Sequence, residues 1–383
     1  MKKLLTLALA ALMLAVLLPI PAMAEPITVL DFTQENAPES GNNWTWDKAS
    51  KTLTLNGVNI TARLIFPDGA TIMLPEGTIN TINTYGKAGV VGNPEVGTGI
   101  VSMDTNGGEN GTLYFKGTGT LKIIDNESFY QITVQGNLIF GEEGEPNGPQ
   151  ITMERTVSKN PLIGGSITVN SGTLNIKALS DPGAGIFGDV VVTGGSLDIE
   201  AMSGGIYGQL TVTGGNVKIK ALDDGNGDGE EGIALEGMLK VEGGVVWLTS
   251  HTPGGTKADR FAPAILLEPL MEEGLTVKGS TTYADPNPTE TVTWKPYGTP
   301  TDTPGGPDQS YRYPFIGNTP AQTVRISAGD DSGSQSGIII YVPTDDTPNT
   351  TTSNPTTGAN DFVSTATAAA LMALLGAAAL LRK

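Results

Sequence analysis

The feature that most constrains this chain is a short internal repeat in its middle. "ITVNSGTLNIKA" begins at Ile167, "VVVTGGSLDIEA" at Val190, "LTVTGGNVKIKA" at Leu210 and "LKVEGGVVWLTS" at Leu239, so successive copies start 23, 20 and 29 residues apart. Each copy alternates apolar and polar residues, breaks at a small-residue corner such as Gly214-Gly215, and resumes the alternation through Val217 and Ile219. A third short element between copies, "GAGIFG" from Gly183 and "GGIYG" from Gly204, sets Ile186 and Ile206 at equivalent positions. Alternation with period two marks half-buried strands, and glycine corners let a strand turn without leaving its layer. Short strands repeating about every 20 residues, each unable to bury its inner face alone, predict an all-β parallel solenoid with coils about 4.8 Å apart. Glycine corners also suit an antiparallel sandwich of hairpins. The solenoid is favoured because Val192, Val212 and Val241 keep one register across copies instead of pairing as mirror images. On that reading the longest spacing holds a loop insertion on one face. "TLYFKGTGTLKII" from Thr112 and "ITVQGNLIFGE" from Ile132 are weaker copies upstream.

Composition agrees with strands and turns. The chain has 51 Gly, 25 Pro and only 6% aromatic residues, which disfavours long helices. It has no cysteine, so disulfides, thiol catalysis and cysteine metal sites are excluded. The net charge is −18, and −20 once Lys2 and Lys3 are removed with a leader. Nucleic acid and other polyanions are therefore not expected partners unless a cation bridges them.

The ends read as export and anchoring signals. Lys2 and Lys3, the apolar run Leu4 to Leu18, Pro19, Pro21 and Ala22-Met23-Ala24 have the order of a signal peptide, residues 1–24. At the other end, residues 362–381 carry no charge and stop at Arg382-Lys383, a pattern expected of a transmembrane span with a cytoplasmic tail. The β-rich ectodomain spans 25–327, with 262–327 open to being a separate group of strands. Residues 328–357 are rich in Asp, Ser, Thr, Pro and Gly, interrupted only by "GIIIYVP", and read as an extended stalk; residues 358–383 form the anchor. Ahead of the span stands Asn354-Pro355-Thr356-Thr357-Gly358. This resembles the Leu-Pro-x-Thr-Gly sorting signals of Gram-positive bacteria, with Asn354 in place of Leu. The resemblance implies cleavage after Thr357 by a sortase and attachment to peptidoglycan. A retained transmembrane anchor in the cytoplasmic membrane is the alternative that span length supports.

The N-terminal phrases "NNWTWDKASKTLTLNGVNI" and "GATIMLPEGTINTI" resemble the opening of carbohydrate-binding or adhesin-like surface proteins of Gram-positive bacteria. The likeness extends in pattern over most of residues 41–326. It implies a right-handed β-helix, pectate-lyase-like in shape, whose first hairpin caps the open edge of the solenoid.

Few residues suggest chemistry. Asp224-Gly225-Asn226-Gly227-Asp228-Gly229 fits the first half of a calcium loop, with oxygen ligands at alternate positions and Gly at the turn. The second half departs from it, because the twelfth position is Leu235. The expectation is one calcium held by Asp224, Asn226 and Asp228 with Glu230 or Glu231, against an ion-free acidic turn. A lyase needs a base and a hydrolase needs two placed carboxylates. Lys177, Lys218, Lys220, Asp198 and Glu200 fall instead at outward strand positions, where alternating charges are ordinary. Arg63, Arg155 and Arg260 have no acidic cluster near them in sequence, and His251 lies in a loop.

Binding is better supported. Sugar rings stack on exposed aromatic side chains, which makes Trp46, Tyr207, Trp247 and Trp294 candidates. Trp44 and Trp46 alternate on the cap strand and suit packing, whereas Trp247 takes an outward place between Val246 and Leu248. The expectation is a non-catalytic, wall-anchored binding or adhesion protein for a polysaccharide or a host or cell-surface glycan, an acidic polysaccharide bridged by calcium among them, with Trp247 as its ligand contact. A β-helix polysaccharide lyase or hydrolase and a structural coat protein are the alternatives.

Overall fold

The computed structural model describes residues 28–84, 98–125, 132–155, 161–179, 183–222, 232–250, 264–265, 267–282, 284–296, 312–317 and 319–328. The proposed leader, the stalk beyond Ala328 and the anchor, including Asn354 to Gly358, lie outside the described residues. Within the described residues no helix is long and apolar enough to cross a membrane.

The repeat folds as a parallel β-solenoid of three sheets, here called A, B and C. One coil shows the plan: Ala184–Phe187 lies in sheet A, Val190–Val192 in sheet B and Ser196–Ala201 in sheet C. Each strand then pairs in parallel with its counterpart one coil later, Gly204–Tyr207, Leu210–Val212 and Asn216–Ala221. Val192, Val212 and Val241 are direct neighbours in sheet B, as are Ile186 and Ile206 in sheet A, so the register expected from the repeat is the register observed. Alternation is strict: Leu197, Ile199 and Ala201 point into the core while Ser196, Asp198 and Glu200 face outward.

The core is built from stacked identical positions. In sheet C one inward column runs Ile60, Ile82, Ile123, Met153, Ile176, Ile199, Ile219 and Leu248. Full burial of such a side chain contributes about 1.5–3 kcal/mol, and the neighbour above and below each one is another of its kind. In sheet B the Phe115 and Phe140 rings of adjacent coils stack with centroids 4.7 Å apart and planes 8° from parallel.

Two glycine columns set the coil spacing. At the corner between sheets B and C, Gly172, Gly195, Gly215 and Gly244 have φ between +64° and +79°, a region that a side chain strains. At the corner between A and B, a Cβ on Gly208 would stand 2.2 Å from the carbonyl oxygen of Gly188, and one on Gly188 would stand 2.1 Å from that of Gly165. Only glycine lets successive coils approach this closely.

Both ends depart from the repeat. The strand Asn59–Pro67 bends from sheet C into sheet A, which makes the two sheets continuous. At the N-terminal end Trp44–Asp47 and Thr52–Leu55 form the expected antiparallel hairpin on the edge of sheet B. Trp46 and Phe66 pack against Phe32 at centroid distances of 4.6 and 5.3 Å. Asn80 replaces an apolar core residue here. Its Oδ1 accepts from the backbone N–H of Gly57 and Val58, and its Nδ2 donates to Thr78 Oγ1 and the Thr120 carbonyl. At the C-terminal end the strand Thr323–Ala328 is inserted antiparallel between Val245–Ser250 and Leu275–Ser280. Residues 262–327 therefore do not stand apart: part of them completes sheet C, and a small three-stranded sheet holding Thr293–Pro296 and Arg312–Ile316 packs beside it.

Candidate functional site

The three outer faces differ in chemistry. Sheet B presents a narrow row of Tyr114, Ile139, Thr168, Val191, Thr211 and Lys240. Sheet C carries a ladder of charges. Glu154, Lys177, Glu200 and Lys220 follow one another on consecutive coils with alternating sign. Glu154 is bridged by Lys122 at 2.8 Å and approached by Lys177 at 3.9 Å. Each such exposed pair contributes no more than about 1 kcal/mol, so this part of the face is a neutralised, solvated wall.

Further along sheet C the alternation ends. Lys218, Trp247, Arg325 and Lys278 are successive outward neighbours on the strands Asn216–Ala221, Val245–Ser250, Thr323–Ala328 and Leu275–Ser280. At strand spacing the line is about 14 Å long. Trp247 is half-buried and faces outward, as its place in the repeat predicts, and the Arg325 guanidinium lies 5.4 Å from its ring centroid. That geometry holds the indole in place by a cation–π contact. Lys218 and Lys278 are exposed. The outward charges of these four strands, Lys218, Lys220, Arg325 and Lys278, are all positive. Carboxylates stand at the margins, with Asp198 beside Lys218, Glu200 beside Lys220, and Glu290 on the edge strand opposite Gly279.

The other aromatic candidates sit elsewhere. Trp44 and Trp46 are 8% and 4% exposed in the cap and serve packing. Trp294 is partly buried against the core from the small sheet. Tyr207 lies on the outer face of sheet A beside Phe187 of the preceding coil. Its ring covers Gly204, where an added Cβ would stand 2.4 Å from a ring carbon. Phe187, which sequence reasoning did not single out, is 46% exposed.

The calcium-loop residues Asp224, Asn226, Asp228 and Glu230 lie outside the described residues, as do His251 and Arg260. The strands on either side of Asp224 to Glu230 are Asn216–Ala221 in sheet C and Ile233–Leu235 in sheet A. Among the described residues no three metal-binding side chains converge.

Two buried charge groups complete the account. Arg155, isolated in sequence, is paired with Asp125 of the preceding coil. Its Nε and Nη2 donate to Asp125 Oδ2 at 3.1 and 2.9 Å, its Nη1 donates to the Pro161 carbonyl, and Thr133 Oγ1 donates to the same Asp125 oxygen. Burial pulls the Arg155 guanidinium below its usual range while Asp125 opposes that shift. Both side chains are fully buried, so the pair works within the fold. Glu272 is the other group. It occupies the position of Glu242 one coil on, and burial and then the Glu242 charge raise its pKa, against Lys240. Its Oε2 is sealed from solvent and makes no hydrogen bond among the described residues.

No protein-family model, curated protein or solved structure matches this chain.

Proposed function

We propose that this is a non-catalytic, surface-displayed carbohydrate-binding protein whose solenoid presents sheet C to a glycan, with Trp247 as the central contact. The observation that carries the reading is the outward, half-buried indole of Trp247, fixed by Arg325 on a flat strand face. A preset aromatic plane offers apolar area at little entropic cost, while polar side chains around it satisfy hydroxyl groups. Display on a Gram-positive wall through the sortase-like segment Asn354 to Gly358 belongs to the same proposal. It rests on the order of sorting signal, apolar span and basic tail in the sequence.

The test is calorimetric titration of the full chain with two glycans, a neutral β-glucan and polygalacturonate, alongside the Trp247→Ala variant. Binding of at least one glycan, weakened about tenfold by the substitution, is expected from loss of an aromatic contact. Absence of binding to both, or equal binding by the variant, would remove the reading.

A further inference from the structure

The line through Trp247 has a sign opposite to the net charge of the chain. The chain carries 40 acidic and 22 basic residues. Yet the strands Asn216–Ala221, Val245–Ser250, Thr323–Ala328 and Leu275–Ser280 lie side by side with four outward cations and no carboxylate of their own. Lys218 and Lys278 make no ion pair among the described residues and project into solvent on either side of the Trp247–Arg325 unit. We infer that the site takes an anionic saccharide, its ring against Trp247 and its carboxylate or sulfate groups met directly by Lys218, Arg325 and Lys278. This rests on the carbohydrate-binding reading and names the ligand class for the same site.

A chain with strong net negative charge repels polyanions at long range, so capture depends on a local patch within roughly a Debye length, about 8–10 Å at 0.1–0.15 M salt. The line is about 14 Å long by strand spacing, so a ligand centred on it lies within that distance of both ends. Arg325 supplies charge while it stacks on the indole, and the lysines supply mobile ammonium groups that fit a point charge without imposing bidentate geometry. Upstream on the same sheet, Lys177 lies between Glu154 and Glu200, which cancels any such potential. Recognition at this patch requires no bridging calcium.

The experiment titrates the full chain with polygalacturonate, a neutral β-glucan and poly-aspartate. Each is tested with calcium and with chelator, at about 0.1 M and about 1 M salt, where the screening length falls from about 10 Å to about 3 Å. A variant carrying Lys218→Gln and Lys278→Gln is titrated in parallel, and its melting temperature should equal that of the parent because both side chains are exposed. The expected result is calcium-independent binding of polygalacturonate, at least about tenfold tighter than either comparator and weakened about tenfold by the variant and by high salt. Neutral glucan binding as tightly, with no effect of the lysine substitutions, would overturn the anionic specificity and leave the carbohydrate reading in place. Dependence on calcium would overturn direct recognition. Equal binding of poly-aspartate would overturn the role of the sugar ring, and failure of both glycans would remove the function itself.

Discussion

Arg155 and Asp125 face each other on consecutive coils, fully buried, in a column whose later members are Ala178, Ala201 and Ala221. A position filled by a methyl group in the next three coils is thus filled here by an ion pair. Removing one partner leaves an uncompensated buried charge, and Arg155→Met or Asp125→Ala alone should each cost about 3–5 kcal/mol. The double substitution should recover most of that loss, since apolar replacement of a buried pair is often neutral. Denaturant unfolding of the three variants measures the difference. Equal destabilisation by the singles and the double would show that the bonds to Pro161 and Thr133 matter more than the charge balance.

The partner of Arg155 marks where sequence reading reaches its limit. Alternation and glycine corners revealed the columns of Val192, Val212 and Val241 because those signals are local and repeat at short range. Asp125 lies one coil away from Arg155, outside the four clear copies, and nothing adjacent in sequence announces it. The end of the solenoid shows the same limit. Val241 pairs with Met271, so a further coil would place Lys278 where Leu248 sits and Thr276 where Val246 sits. A lysine in that core position is too costly to bury. The strand Thr323–Ala328 intervenes instead, and Val277 aligns through Ile326 with Val246, which returns Lys278 to the surface. Trp247 was legible as an outward residue. Its neighbours Arg325 and Lys278 were not, because they arrive by an antiparallel insertion that the repeat does not encode.

The glycine columns make a graded prediction. Gly208→Ala would force a Cβ to within 2.2 Å of the Gly188 carbonyl oxygen, and overpacking of this kind costs about 1–3 kcal/mol or more. Gly57→Ala, at φ +83° with nothing within 4 Å, should show only the left-handed backbone cost of about 1–2 kcal/mol. Thermal melting of both variants tests the ranking, and a larger loss at Gly57 would contradict the close-approach argument.

Glu272 predicts a pH dependence. Its pKa in the fold is raised above the ordinary 4.5, by burial first and by the Glu242 charge second. The folded state therefore holds this proton more tightly than the unfolded state. Its contribution is fully present below the ordinary carboxylate value and is lost as pH rises through the raised value. Glu272→Gln should stabilise the protein at neutral pH and remove that acid-side gain. Melting curves between about pH 4 and pH 8 decide it, and parallel profiles for parent and variant would show that Glu272 carries none of the dependence.

The most direct test of the central claim is hydroxyl-radical footprinting of the full chain with and without a polygalacturonate oligomer, read residue by residue by mass spectrometry. The cation-flanked Trp247 line predicts that ligand lowers oxidation at Trp247 and leaves Phe187 and Tyr207 on sheet A unchanged. Protection of Phe187 and Tyr207 with Trp247 unaltered would place the ligand on the other face and contradict the account.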